Sequence, residues 1–229
     1  MKSDVNGVRV LWKSRSIPSV LRKYYNNRYS LFSKFDEGIW IDFTGWFSVT
    51  PEVIAIHQAQ KILDNLGGDP SGKVVIEAFA GVGGNAIALA RVGFKVLAID
   101  IDETSLICLR HNAELYGVGD KISYVHDNFM TLDPHNYPKA DAVFMSPPWG
   151  GPGYVMETNF NLEGMPISLS DVFFRAKLWA DEVCLFLPRT GKRCQLEAIK
   201  PSTDLLEIEP QYVNAREKGI SVHYSKLKD

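Results

Sequence analysis

The feature that most constrains this chain is the stretch VVIEAFAGVGGNAIALA at residues 74–90, an apolar run that breaks at a glycine-rich turn and resumes with helical spacing. Its opening VVI is β-branched, as suits a buried parallel strand. The turn contains Gly81, Gly83 and Gly84, which let a backbone bend tightly beside a ligand. The stretch predicts strand, loop and helix. Such a loop binds dinucleotide, phosphate or adenosyl ligands at the free amides of the helix, or is a plain tight connection.

A carboxylate ends the next apolar strand. Residues 96–100 have the sequence VLAID, and Asp100 lies about 20 residues past the glycines, where nucleoside-binding sheets place an acceptor for ribose hydroxyls. The two features together imply an adenosine-type cofactor.

The alternation of strand and helix continues along the chain. We predict further helices at residues 103–116, 170–180 and 193–199, and further strands at 122–126, 142–145, 183–187, 205–208 and 220–224. This order predicts an α/β fold with a doubly wound, mostly parallel sheet, whose ligands sit at the carboxyl ends of the strands.

Composition and charge divide the chain into three parts. With 229 residues, 45% of them hydrophobic, it is long enough for one sizeable core and an appendage. We assign residues 69–229 to the main domain, 21–68 to an amino-terminal extension and 1–20 to a mobile basic tail. The net charge of −2 argues against a long nucleic-acid groove, but residues 1–34 carry +7 and the remainder −9. Such a segment suits a phosphate-bearing partner, and a solvated flexible tail is the alternative.

The extension is rich in aromatic residues. Rings crowd into residues 21–46 and are interleaved with lysines and arginines, a mix that can stack bases and hold phosphates. The alternative is a small aromatic core, which we favour for most of these rings. Thr50 and the two residues after it then predict the N-cap and start of a helix that runs to about residue 66.

The sequence predicts neither a metal site nor a membrane span. The three cysteines and five histidines lack the local spacing of metal ligands or of a planned disulfide. No apolar run approaches the roughly 18 residues that cross a bilayer, and the amino terminus lacks a signal-peptide core. We therefore expect a soluble intracellular protein in a reducing compartment.

The most specific motif, Ser146-Pro147-Pro148-Trp149, directly follows the strand predicted at residues 142–145. Its prolines fix the backbone and withhold donors, so carbonyl groups and the Ser146 hydroxyl are free to accept from an amino group. The motif resembles the (D/N/S)-P-P-(Y/F/W) loop of S-adenosylmethionine-dependent methyltransferases that modify exocyclic amines of nucleobases. A rigid turn with a packed tryptophan is the alternative. The large indole of Trp149 favours a base that is already cationic, such as N7-methylguanine.

Several segments together resemble the trimethylguanosine synthase family of RNA cap guanine 2-amino methyltransferases: LFSKFDEGI, GWFSVTPE, EAFAGVGGN, AIDID, RHNAELYG, SPPWGGPGY and FLPR. The resemblance runs from about residue 23 to 218 and covers a catalytic domain. It implies a Rossmann-like class I S-adenosylmethionine-dependent methyltransferase fold, with a small helical amino-terminal extension that closes over the active site.

The resemblance also implies the residues of the site. The cofactor-binding set is Phe32, Thr50, Glu77, Phe79, Gly81, Gly83, Asp100 and Asn128. The cap triphosphate would be bound by Lys23, Tyr154, Arg189 and Lys218. Asn112 would read the guanine edge, Trp149 would stack on the base, and Ser146 with Pro147 would accept from the 2-amino group. Glu77 and Asn128 each stand where aspartate is usual, and each keeps an oxygen acceptor.

The activity implied by the resemblance is transfer of methyl groups from S-adenosyl-L-methionine to the 2-amino group of an N7-methylguanosine cap, giving 2,2,7-trimethylguanosine. It further implies that the substrates are small nuclear and small nucleolar RNAs and that proteins recruit those RNAs. We also expect a monomer that resides in the nucleus, in its nucleolus or nuclear bodies, and in the cytoplasm. Two alternatives stay open: another nucleobase amino-methyltransferase acting on adenine or ribosomal guanine, and a non-catalytic cap-binding module.

Overall fold

A computed structural model describes residues 4–151, 153 and 158–227 of the chain. Its strands are β1 (Asp4–Val5), β2 (Val8–Arg9), β3 (Val74–Ala78), β4 (Lys95–Asp100), β5 (Ile122–His126), β6 (Ala142–Met145), β7 (Glu182–Leu187), β8 (Asp204–Val213) and β9 (Arg216–Lys226). Its α-helices are α1 (Arg22–Tyr25), α2 (Arg28–Leu31), α3 (Gly45–Ser48), α4 (Glu52–Asn65), α5 (Gly84–Val92), α6 (Glu103–Leu115), α7 (Leu169–Lys177) and α8 (Arg193–Ala198).

Seven strands form one central sheet in the order β5-β4-β3-β6-β7-β9-β8. The pairs from β5 through β7 are parallel, whereas β9 is antiparallel to both β7 and β8. In the register, Ala78 of β3 pairs with Ile99 of β4 and with Met145 of β6, so the carboxyl ends of these three strands lie side by side. The predicted mostly parallel sheet of a Rossmann-like α/β fold is confirmed.

The two faces of the sheet bury two separate apolar clusters. Adjacent strand residues point to opposite faces, so Val75 packs into one cluster and Ile76 into the other. The first cluster contains side chains of α4, α5, α6 and the amino-terminal extension. The second contains side chains of α7 and of the chain around Phe160. Helices therefore cover both faces, as parallel strands that are apolar on both sides require.

The predicted helix after Thr50 is present, but its capping differs from the prediction. The helix α4 begins at Glu52, its N-cap is Pro51, and no side chain caps it, so Thr50 is not the N-cap. By contrast, the Asp102 carboxylate caps α6 by accepting hydrogen bonds from the amides of Thr104 and Ser105.

The described part of the predicted mobile tail, residues 4–20, includes buried apolar side chains, and its mobility stays a prediction. These residues include the hairpin β1–β2 and pack against the extension. Trp12 is 9% exposed, and its indole Nε1 donates a hydrogen bond to the Ile41 carbonyl at 2.6 Å. The amide of Ile41 in turn donates to the Val10 carbonyl at 2.8 Å. The segment is held by burial of apolar side chains as well as by these bonds, which hydropathy periodicity did not reveal. Within the described ranges, no helix combines the length and apolarity needed to cross a bilayer.

Candidate active site

Two carboxylates lie at the carboxyl ends of β3 and β4. Glu77 is the fourth residue of β3, and Asp100 is the last of β4. Asp100 accepts a hydrogen bond from the Gly81 amide at 2.7 Å on Oδ2 and one from the Asp102 amide at 2.9 Å on Oδ1. Asp100 thereby fastens the glycine loop to the end of β4, and each of its oxygens retains acceptor capacity for a ligand hydroxyl.

Glu77 is almost fully buried, at 3% exposure, and its Oε2 has no hydrogen-bond partner within the described part of the chain. Burial raises the pKa of its carboxyl well above the ordinary value, and the neighbouring Asp100 raises it further. Burial also raises the pKa of Asp100, although the amides of Asp102 and Gly81 offset part of this effect. Because an unpartnered buried carboxylate is unfavourable, this position suits a cationic or hydrogen-bond-donating ligand group.

The glycine loop adopts left-handed backbone conformations. Phe79, Gly81 and Gly83 have φ values of 66°, 52° and 101°. A β-carbon at Gly83 would also collide with the side chain of Leu109, so glycine is favoured there on two grounds. Phe79 is a non-glycine residue in this strained region, and its half-buried ring packs edge-on against Phe129 at 6.2 Å between centroids. Local strain of this kind is characteristic of ligand-binding loops.

Thr50 and Asn128 both adjoin the elements that form this site. A β-carbon at Gly84, the first residue of α5, would lie 3.0 Å from the Thr50 carbonyl oxygen, so the two backbones are in close contact. Asn128 follows β5, and its Oδ1 accepts a hydrogen bond from the Met130 amide at 3.0 Å. An amide oxygen has two lone pairs, so this group retains capacity to accept from an adenine amino group. Their contacts with a cofactor remain predictions.

Phe32 lies in the core of the extension. It is 2% exposed, and its ring is 6.3 Å from that of Tyr116 between centroids. Tyr116 follows the last residue of α6, a 13-residue helix that begins beside Asp100 and extends about 20 Å from it. A role for Phe32 in cofactor binding therefore remains a prediction, and its observed partner is Tyr116.

The proline-rich loop begins where β6 ends, next to the end of β3. Ser146 is half-buried and Pro147 buried. The indole of Trp149 is half-buried, donates from Nε1 to the Phe186 carbonyl at 3.3 Å, and packs on the Phe186 ring at 5.3 Å between centroids and 60° between planes. A β-carbon at Gly219 of β9 would lie 2.6 Å from that ring, so glycine there leaves room for Phe186. Sequence reasoning missed Phe186, although it lies in the quoted FLPR segment.

A cavity of about 500 Å³ adjoins this loop. It is lined by Trp149, Gly150, Gly153, Phe160, Asn161, Gly164 and Pro166. A second cavity, of about 360 Å³, lies near the amino ends of β6 and β7 and is lined by none of the predicted site residues. The first cavity adjoins the carboxyl end of β6, and open parallel sheets bind ligands at their carboxyl ends.

Two of the predicted phosphate-binding residues follow or lie in neighbouring strands of the sheet. Arg189 and Lys218 are both exposed. Arg189 lies in the turn after β7, and Lys218 is the third residue of β9, the strand that pairs with β7. Lys23, in α1, has its Nζ 4.8 Å from the centroid of the Tyr24 ring. Tyr154 lies outside the described residues.

Asn112, predicted to read the guanine edge, is bonded to backbone groups in the structure, and that role stays a prediction. Asn112 has no exposed surface, and its Nδ2 donates to the carbonyls of Trp40 at 2.8 Å and Val82 at 3.0 Å. Its Oδ1 accepts from the Trp40 amide at 2.8 Å. Both amide hydrogens are thus used, and the side chain ties the extension to the glycine loop. A polar residue in a helix gives no sequence signal for such burial.

Comparison with known proteins identifies the family to which this site belongs. The sequence model described as RNA cap guanine-N2 methyltransferase matches residues 72–226. The chain belongs to the RNA cap guanine-N2 methyltransferase family. Trimethylguanosine synthase of Schizosaccharomyces pombe is 39% identical over 189 residues, which are 80% of this chain and 76% of that protein. Trimethylguanosine synthase of Saccharomyces cerevisiae is 34% identical over 182 residues, which are 77% of this chain and 57% of that protein.

Solved structures show the same fold at lower identity. A human methyltransferase 10 domain containing protein has a TM-score of 0.61 at 15% identity, covering 93% of this chain and 99% of its own. Magnesium protoporphyrin IX methyltransferase from Synechocystis PCC 6803, solved with bound SAM, has a TM-score of 0.55 at 16% identity and covers 93% of this chain and all of its own. Class I methyltransferases are therefore the structural relatives of this cap guanine-N2 methyltransferase.

The extension of this cap guanine-N2 methyltransferase packs directly on the glycine loop. Asp42 is 4% exposed, and one of its carboxylate oxygens accepts from the Gly45 amide while the other accepts from Ser105 Oγ at 2.6 Å. A β-carbon on Gly45 would lie 2.9 Å from the Val82 side chain of the loop. Sequence reasoning missed Asp42, which lies three residues before Gly45, the first residue of the quoted GWFSVTPE segment. No group of three or more potential metal ligands occurs among the residues that the structure describes.

Proposed function

We propose that this chain transfers methyl groups from S-adenosyl-L-methionine to the exocyclic 2-amino group of an N7-methylguanosine RNA cap, giving 2,2,7-trimethylguanosine. The observation that carries the proposal is the position of the Ser146-Pro147-Pro148-Trp149 loop. It starts at the end of β6, whose neighbour β3 carries Glu77 and the glycine loop. The residues proposed to bind the cofactor and the base thus follow neighbouring strands in a chain of the cap guanine-N2 family.

The cofactor side of the site fits S-adenosyl-L-methionine. The unpartnered Glu77 Oε2 suits the methionine ammonium, and Asp100 retains acceptor capacity for the two ribose hydroxyls. Asn128 would accept from the adenine amino group. When bound, this cofactor supplies an electrophilic sulfonium methyl group.

On the base side, the chain orients the acceptor amine. Trp149 presents its indole face to the cationic N7-methylguanine ring, and Phe186 holds the indole through a hydrogen bond and an edge contact. The Ser146 hydroxyl and Pro147 carbonyl would accept from the 2-amino group, which aims its nitrogen lone pair at the methyl group and eases loss of the proton. Because the amine needs alignment more than deprotonation by a strong base, we infer that positioning supplies most of the catalysis.

The phosphates of the cap would be held by separated cations rather than by a basic groove. Arg189 lies in the turn after β7, Lys218 lies in the neighbouring strand β9, and Lys23 comes from the extension. Charge-assisted hydrogen bonds from these groups suit a triphosphate. Tyr154 completes the set that the family resemblance implies. Small nuclear and small nucleolar RNAs as substrates, and residence in nucleus and cytoplasm, are part of the same proposal.

Mass spectrometry of an N7-methylguanosine cap analogue, incubated with the protein and S-adenosyl-L-methionine, tests the proposal. We expect gains of one and two methyl groups, and none on an unmethylated guanosine cap. Trp149→Ala should abolish turnover but leave cofactor binding, measured by calorimetry, unchanged. Trp149→Phe should retain part of the turnover. Methylation of uncapped adenine or ribosomal guanine substrates instead would indicate another nucleobase amino-methyltransferase. Cap binding without any methyl gain would indicate a binding module.

A further inference from the structure

Three aromatic residues of the extension form a connected surface group, which we call the aromatic cluster: Tyr24, Phe43 and Phe47. The ring centroids of Tyr24 and Phe47 are 6.3 Å apart, and those of Phe43 and Phe47 are 6.0 Å apart. Phe43 is 46% exposed, and the other two rings are half-buried. The exposed end of the cluster is therefore Phe43, and the two half-buried rings pack against the core.

Exposure distinguishes Phe43 from most of the other rings of residues 21–46. Trp46, one residue before Phe47, is fully buried, and Phe32 and Phe35 are buried. Tyr29 is 48% exposed, but its hydroxyl donates a hydrogen bond to Asp36 and accepts one from Arg28. Most of the segment is therefore a small aromatic core, as the sequence favoured. A single exposed ring is ordinary on a protein surface, so the case for a ligand at Phe43 rests on the rings and charges around it.

The charges beside the cluster favour an anionic partner. The ammonium of Lys23 lies 4.8 Å from the Tyr24 ring centroid, and Arg22 is exposed next to it. Neither cation forms an ion pair with a carboxylate in the described ranges. The first 34 residues carry a net charge of +7. Aromatic faces interleaved with unpaired cations are the composition of single-strand nucleic-acid sites.

The cluster also adjoins the active site. Phe43 lies between Asp42, which binds Ser105 at the start of α6, and Gly45, which packs on Val82 of the glycine loop. The glycine loop follows β3, and the cap-binding loop follows its neighbour β6. Lys23, one of the triphosphate ligands of the proposed function, sits over a ring of the cluster. If Lys23 binds the triphosphate, as the proposed function assigns, the RNA attached to it leaves beside these rings.

We propose that the aromatic cluster is a binding site for the nucleotides that follow the cap, with a nucleobase stacked on Phe43 and a phosphate contacted by Arg22. The inference rests on the proposed function, since it assigns the path of the RNA attached to the cap. It predicts that the chain prefers capped single-stranded RNA to a cap dinucleotide, and that the preference weakens as salt rises.

Steady-state kinetics on two substrates tests the cluster. The substrates are a cap dinucleotide and a capped single-stranded RNA of ten nucleotides, both with the N7-methylated cap. We expect Phe43→Ala to raise KM roughly 10-fold on the capped RNA and to leave KM on the dinucleotide unchanged, since one stacked base contributes about that much. Phe43→Trp keeps an aromatic ring for stacking and should therefore keep the wild-type KM on the capped RNA. Phe174→Ala, which removes a 55% exposed ring on α7, is the matched control and should change neither KM.

Each outcome bears on a different claim. Absence of methylation on both substrates by the wild-type chain would count against the proposed function. Full wild-type activity on both substrates, with no effect of Phe43→Ala on KM for the capped RNA, would overturn the proposal that the cluster binds RNA and leave the proposed function standing. A change in sedimentation of the protein on Phe43→Ala, with KM for RNA unchanged, would make the cluster an interface between copies of the chain, and would overturn it too.

Discussion

At the scale of single residues, Glu77 shows a conflict between stability and binding. Its carboxyl is buried, has an unpartnered oxygen and lies near the negative charge of Asp100. Burial raises its pKa, so the folded ligand-free chain binds a proton at Glu77 more tightly than the unfolded chain does. By linkage, the free energy of unfolding falls as pH rises from the ordinary glutamate pKa towards the raised folded value.

Replacing this carboxyl by an amide should therefore have opposite effects on the two properties. We expect Glu77→Gln to raise the melting temperature of the ligand-free protein at neutral pH, because the buried charge is removed. The same change should weaken S-adenosyl-L-methionine binding by roughly 10- to 100-fold, since a charge-assisted hydrogen bond to the ammonium is lost. Calorimetry across pH should show wild-type affinity rising with pH as Glu77 ionises, with a flat profile for the variant.

Glu114→Gln, at an exposed position of α6, is the matched control and should change neither property. A Glu77→Gln protein that melts lower and binds the cofactor normally would show that Glu77 has a structural partner instead.

The sequence indicated Asp100 as a candidate because of its spacing past a glycine loop, whereas Glu77 followed only from the family resemblance. It did not indicate the hydrogen bonds of Asn112 to Trp40 and Val82, because whether a helical asparagine faces a ligand or a buried backbone depends on what packs over it. Phe186 was missed for the same reason. Its contact with Trp149 joins strand β7 to the loop after β6, and the two residues are 37 positions apart in sequence.

At the scale of elements, prediction was best where apolar runs are continuous. The parallel strands β3, β4 and β6 are nearly all buried and were located closely. The hairpin of β8 and β9 is longer than predicted, with 10 and 11 residues, because β8 lies at the edge of the sheet and alternates between exposed and buried positions. Helices of four residues, such as α1 and α3, are too short to show a hydrophobic period.

The link between the extension and the glycine loop can be tested at Asn112. We expect Asn112→Ala to lower the free energy of unfolding by roughly 1–3 kcal/mol, because buried groups of Trp40 and Val82 lose their partners. Asn112→Asp should also destabilise the protein at neutral pH, since it cannot donate to the two carbonyls. Urea denaturation measures both effects, and cofactor affinity should fall with them as the loop loosens. If Asn112 instead reads the guanine, Asn112→Ala will leave stability unchanged and raise KM for the cap alone.

At the scale of the whole molecule, the extension and the methyltransferase sheet share one core. Val10, Trp12, Ile17 and Leu21 belong to the same buried cluster as the strand residues Val75 and Val96. The division into tail, extension and domain, which charge and composition suggested, stays a prediction, and side chains from all three parts contribute to this cluster. Charge describes the surface of residues 4–20, whereas a few isolated apolar side chains decide their packing.

Trp12 tests this shared core. Trp12→Ala removes a buried ring that packs edge-on against Trp46 at 6.5 Å between centroids, and deletes the hydrogen bond to Ile41. We expect the free energy of unfolding to fall by about 3–5 kcal/mol in a single cooperative urea transition, because the extension and the sheet unfold together. Val20→Ala, at a 62% exposed position nearby, should change it by less than about 0.5 kcal/mol. An unchanged midpoint of urea denaturation for Trp12→Ala would instead support the predicted mobile tail. A separate transition at lower urea concentration would show that the extension unfolds as an independent unit. It would then contradict the inference that residues 10–12 support the glycine loop through Ile41 and its neighbour Asp42.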